Sequence, residues 1–116
     1  MRRLRRWSAP LAVIAVLTNL PDSESAFNLA RELVQLRLAA CANVLAPATS
    51  FYRWEGRDAQ ATEYPVLIKS TQSCYPRLEA AIRSRHPYSL PEIIAWTLDS
   101  GAPDYLAWVE REASGS

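Results

Sequence analysis

His86 is the one histidine of the chain, and an imidazole standing in the string HPY is the first place to look for a copper(II) or other divalent-metal ligand. A single imidazole is not a site. Its competing role is structural: closing a helix and donating to nearby backbone carbonyls. Cys41 could add a soft ligand, but its neighbours Ala39, Ala40 and Ala42 favour a buried, inert thiol over metal capture. Cys74 stands just ahead of a helical pattern, where its pKa would be slightly lowered, and is otherwise read as an exposed, incidental thiol. Neither belongs to a CxxC pair or a His/Cys cluster, and the two could form at most one bridge, so reduced thiols are expected. Glu63 and Glu92 are the acids of interest, each bordering a strand. Their plain role is ion pairing with Lys69 or Arg53 of a neighbouring subunit. The sharper reading gathers Tyr52, Trp54, Glu63, Lys69 and Glu92, with His86, into an inter-subunit pocket for a small anion or a metal ion.

Catalytic templates fail in turn. There is no GxSxG elbow, no P-loop, no HExxH and no Gly-rich dinucleotide fingerprint, and the chain has only three glycines. A Cys41–His86 dyad would need a closeness that a strand start and a helix end do not promise. No enzymatic role and no organic cofactor is expected. Lysine and arginine number 13 against 12 acids, so a net charge of +1 offers no footprint for nucleic acid or an anionic membrane. The one basic cluster, Arg2, Arg3, Arg5 and Arg6, precedes the apolar run Leu11 to Leu17 and imitates a secretory leader. Pro10, the β-branched content of the run and the lack of a small-residue cleavage site favour a basic tail ahead of a first strand, and a cytoplasmic protein. No stretch approaches the ~20 apolar residues of a membrane-spanning helix.

These residues need elements to hold them. Leu11 to Leu17 reads as a buried strand closed by Asn19, Pro21 and Asp22. Asp22 or Ser23 then caps a helix running to Leu38 or Ala39, with Ala26, Leu29, Ala30, Leu33, Val34 and Leu38 at helical spacing. Cys41 to Trp54 turns to a strand pattern with Tyr52 and Trp54 on one face. Pro47 makes it an edge strand, a bulged strand or two strands in sequence. Glu55 to Asp58 supplies a turn into a strand centred on Val66 to Ile68 and ending near Ser70, which makes a hairpin. Pro76 suits the first turn of a second helix and Pro87 closes it. Glu92 to Leu98 is the fourth strand. Pro103 begins a last helix whose buried stripe is Tyr105, Leu106, Trp108 and Val109, with fraying from Glu112. Strand, helix, strand, strand, helix, strand and an extra helix form the split βαβ pattern: an α+β, ferredoxin-like βαββαβ sandwich with a C-terminal helix. The expected limits are a flexible basic tail over 1–9, one domain over 10–112 and a flexible C-terminus over 113–116.

The string Leu36 to Asn43, LRLAACAN, resembles the ERLAACVN signature of the CutA divalent-cation tolerance family, and Ser50 to Gly56, SFYRWEG, resembles its SxYxWEG. Leu67 to Ser70 is similar to its IKT region, His86 to Ile94, HPYSLPEII, to its HPYxxPEII, and Asp104 to Trp108, DYLAW, to its YLxW ending. The likeness runs in order from Leu11 to Glu110. It implies a homotrimer in which the long second and third strands reach across to neighbouring subunits, and a link to tolerance of copper and other divalent cations. Family members with the strongest metal case use a cysteine ending the first strand and a histidine pair ahead of the proline. Here those positions hold Thr18, and Arg85 with His86. The expectation is a trimeric cation-tolerance protein binding copper(II) or another divalent cation weakly. The alternatives are a PII-like trimeric signalling module with an effector in its subunit clefts, or a purely structural trimer.

Overall fold

The structure is a computed structural model and describes residues 12–115. The expected basic tail over 1–9 lies outside the described residues, as do Leu11 and Ser116. The first strand, β1 (Val13–Leu20), runs three residues past the expected end. Thr18, Asn19 and Leu20 pair with Val66, Pro65 and Tyr64, so cross-strand bonding overrules the turn preference of Asn19.

Helix α1 (Ser23–Gln35) starts as expected, with the Asp22 carboxylate accepting the Ser25 N–H at 2.8 Å. It ends three or four residues early. Arg37 takes φ 60°, and the Arg37 and Leu38 N–H groups fold back onto the Val34 and Leu33 carbonyls, both at 3.0 Å. This is the two-bond wrap that usually places glycine where Arg37 stands. Leu38 mimicked one more helical turn in the sequence; its actual role is to seal the wrap against Leu33 in the core.

Pro47 resolves into the third of its options, two strands in sequence: β2 (Cys41–Val44) and β3 (Ala48–Trp54). The turn is only Glu55 and Gly56, at φ 51° and 79°, between the paired residues Trp54 and Arg57. Two successive positive φ angles give the tight hairpin turn whose twist matches its strands. The strand that follows, β4 (Arg57–Thr71), is 15 residues long. A 3₁₀ turn (Gln72–Cys74), capped by Thr71, leads into α2 (Tyr75–Arg85), with His86 as its C-cap. The last elements are β5 (Ile93–Thr97) and α3 (Pro103–Glu112).

The sheet order is β2-β4-β1-β5, every pair antiparallel, with β3 pairing the first half of β4 as a protruding arm. This is the ferredoxin-like arrangement. Alternate residues Ile14, Val16 and Leu20 of β1 and Val66 and Ile68 of β4 meet Leu29 and Leu33 of α1 and Leu78 and Ile82 of α2 in the main core. Val13 heads a smaller cluster with Ala40, Cys74, Val109 and Ala113 beneath α3. Only Val109 of the four-residue stripe expected on α3 is fully buried, because the helix covers one end of the sheet; Leu106 and Trp108 are half-buried and Tyr105 is exposed. The segment after α3, expected to be flexible, carries defined contacts. Ala113 is buried, the Gly115 N–H donates to the Arg37 carbonyl at 2.8 Å, and Arg77 donates to the Gly115 carbonyl at 2.7 Å.

Candidate binding cleft

The arm and the loop between α2 and β5 form the walls of a cleft of about 760 Å³. Directly paired residues of an antiparallel ladder share a face, so the pairing of Ala48 with Glu63, Ser50 with Ala61 and Tyr52 with Ala59 places Ser50, Tyr52, Trp54 and Glu63 on one side of the arm. The small Ala59 and Ala61 leave the space that the larger side chains border. Phe51 contributes from the same strand, and Pro87, Tyr88, Leu90 and Glu92 come from the loop.

Two carboxylates are fixed there. Tyr88 Oη donates to Glu63 Oε2 at 2.9 Å, and Asn19 Nδ2 donates to Glu92 Oε1 at 3.0 Å. Burial, then the hydrogen bond to Glu63, pushes the Tyr88 hydroxyl up to about 12, so it remains a donor across the physiological range. Behind Tyr88 lies His86, 8% exposed. Its Nδ1 accepts the Tyr88 N–H at 3.2 Å, which leaves Nε2 to carry the proton and donate to the Asn19 carbonyl at 2.8 Å. Its ring also stands 4.9 Å from that of Tyr88. Burial lowers the His86 pKa, opposed by the Asn19 hydrogen bond and the Glu63 charge. His86 therefore ties the end of β1 to the loop that carries Tyr88. With both nitrogens engaged, it does not fit as a metal ligand without giving up one of these bonds.

Of the residues expected in an inter-subunit pocket, Tyr52, Trp54, Glu63 and Glu92 come together within one copy, and that copy's own Lys69 stands apart. Lys69 pairs with Ala15 and Cys41, and its Nζ donates to Asn43 Oδ1 at 2.6 Å. Six residues of strand separate it from Glu63, roughly 20 Å. Arg53 binds Asp58 at 2.8 Å on the exposed arm. Among the described residues of one copy, no lysine or arginine lines the cleft. Asn19 and Tyr88 are cleft residues that the sequence hid, one as a turn former and the other as core filling. The one available signal was that Tyr88 and Glu92 share the HPYSLPE string with His86.

The thiols lie elsewhere. Cys41 is half-buried, with Sγ 3.6 Å from Tyr105 Oη. Cys74 is fully buried and not the exposed thiol expected; its Sγ donates to the Ala113 carbonyl at 3.0 Å because the end of the chain folds over it. Cys41 and His86 contact positions four residues apart on β1, Ala15 by way of Lys69 and Asn19 directly, so no dyad forms. Among the described residues, no three His, Cys, Asp or Glu side chains converge as a metal centre would require.

A split βαβ sandwich carrying an acidic, aromatic-walled cleft between its arm and the loop after α2 places the chain in the ferredoxin-like class. Comparison with known proteins makes the assignment specific. Residues 14–112 match the family model described as CutA1 divalent ion tolerance protein, and the chain belongs to that family. It is 40% identical over 100 residues to the divalent-cation tolerance protein CutA of Thermus thermophilus, covering 86% of this chain and 96% of that one. Against the divalent-cation tolerance protein CutA of Citrobacter koseri it is 40% identical, covering 88% of each. The crystal structure of CutA from Xylella fastidiosa superposes with a TM-score of 0.86 at 38% identity, covering 88% of this chain and 98% of that one.

Proposed function

We propose that this chain is a homotrimeric, cytoplasmic divalent-cation tolerance protein that binds copper(II) or another divalent cation weakly at the carboxylates of the cleft. The observation that carries the reading is the presence of Glu63 and Glu92 in one cleft that, among the described residues, no basic side chain lines. Two oxygen ligands completed by water suit a weakly held hydrated ion, and a tight site would need a fuller donor set. The family and its relatives' names support a role in cation tolerance. The free thiols Cys41 and Cys74 suit a reducing compartment. The trimer is supported by large apolar side chains left bare in one copy: Phe51 is 75% exposed, Ile94 48% and Trp96 45%. A closed ring of copies would cover them together with the unpaired strand edges.

Calorimetry of the native protein with copper(II) and with zinc tests the ion, and light scattering on a sizing column tests the assembly. An isotherm lost in the Glu63→Gln, Glu92→Gln double variant, on a particle of three-chain mass, is the expected result. A flat titration, or a folded monomer at high concentration, would remove the corresponding part. A second reading has its own observation. A space of about 760 Å³ bordered by Phe51, Tyr52, Trp54 and Tyr88 exceeds what an ion needs, which favours a PII-like module holding a small effector.

A further inference from the structure

We propose that the cleft takes a small organic cation, an alkylammonium or guanidinium group on a short apolar body. This rests on reading the cleft as the binding site and is independent of metal binding there. Three features of the walls carry it.

The first is charge. Among the described residues of one copy the cleft presents Glu63 and Glu92 and no lysine or arginine, so a negative ligand such as a nucleotide phosphate would meet two carboxylates there with no cation to receive it. The second is how those carboxylates are held. Glu63 is bound by the Tyr88 hydroxyl and Glu92 by the Asn19 amide, both neutral donors. They are oriented and their charge is not cancelled. Each carboxylate has about four lone-pair sites, so one neutral hydrogen bond leaves acceptor capacity for an N–H donor of a ligand. The third is the apolar wall. Tyr52 and Trp54 share a face of the arm with Glu63, and Tyr88 lines the same cleft from the loop, so aromatic rings stand with these acids, the combination that recognises a cation with some apolar surface. A bare metal ion would use the carboxylates and leave the rings without a role. The burial of Tyr88 against His86 keeps that wall in place.

The probe is agmatine, which carries an ammonium and a guanidinium at neutral pH. It is titrated into the native, assembled protein and followed by calorimetry and tryptophan fluorescence. Adenosine triphosphate and copper(II) are titrated in parallel. Agmatine is expected to bind and adenosine triphosphate to give no isotherm. Glu63→Gln and Trp54→Ala should each weaken agmatine about tenfold, and Trp54→Phe should retain most of the affinity, since it keeps an aromatic face. Circular dichroism and particle mass equal to those of the native protein qualify each variant. Copper(II) binding without agmatine binding overturns this inference and leaves the metal reading in place. Agmatine binding without copper(II) binding does the reverse. Adenosine triphosphate binding in the cleft, or agmatine affinity indifferent to both Glu63 and Trp54, also overturns it.

Discussion

Thr18 sits fully buried on the core face of β1, and its hydroxyl finds no hydrogen-bond partner among the described residues. Burying an unpaired hydroxyl costs about 1–3 kcal/mol, so Thr18→Val, which keeps the branched shape, should raise the thermal midpoint by an amount equivalent to about 1 kcal/mol. A melt that fell would mean that the hydroxyl is bonded in solution. His86 gives a pH signature. Its pKa is lowered by burial below the ordinary 6.5, so the unfolded chain takes up the proton more readily than the folded one. The stability from neutral His86 is present above 6.5 and is lost as pH falls through that value toward the lower folded one. Denaturant midpoints at about pH 8 and about pH 5.5 should therefore separate more in the native protein than in His86→Asn. The capping role of His86 was legible from its place ahead of Pro87. Its partner was not: the Asn19 carbonyl lies 67 residues away, and a backbone acceptor has no sequence signature.

At the level of elements, the hairpin arm depends on a turn that only a few residues tolerate. Gly56 takes φ 79°, and a Cβ there would meet nothing within 4 Å. Gly56→Ala should thus cost about 1 kcal/mol through backbone strain alone, read as a lower denaturant midpoint with an unchanged slope. A larger loss would point to a side-chain clash that the geometry excludes. A turn beginning at Glu55, a cap at Asp22 or Ser23 and Pro76 in the first turn of α2 could all be read from the chain because each acts on its immediate neighbours. The length of β4 could not. Val66 to Ile68 announced its centre, but Arg57 to Thr62 is polar and alanine-rich and is held in strand form by β3 alone. Glu63 and Lys69 therefore stand at well-separated positions of a single long strand, and only a second copy could bring a Lys69 to the Glu63 of the first. The end of α1 failed for a related reason: Leu38 kept helical spacing while serving as the seal of a backbone wrap.

For the whole molecule, the order of strands and helices was legible because hydrophobic period and turn residues alternate cleanly, whereas assembly concerns surfaces that a single chain leaves bare. Ile94 and Trp96 alternate with the core-facing residues of β5 and pair with Leu17 and Ala15 of β1. In the proposed trimer this strip is covered. Trp96→Arg should then shift the particle toward monomer mass in light scattering, while a small change in mass would place the contact elsewhere. One strand also governs how the molecule comes apart. Across Val66 to Lys69, β4 has β1 on one side and β2 on the other, while from Arg57 to Glu63 it has β3 alone. Deuterium uptake by backbone amides should accordingly be slowest in that doubly flanked stretch and far faster toward Arg57, a gradient along one continuous strand. A neighbouring copy seated on the arm would flatten that gradient, so exchange from Arg57 to Glu63 reports on assembly while exchange from Val66 to Lys69 reports on the fold.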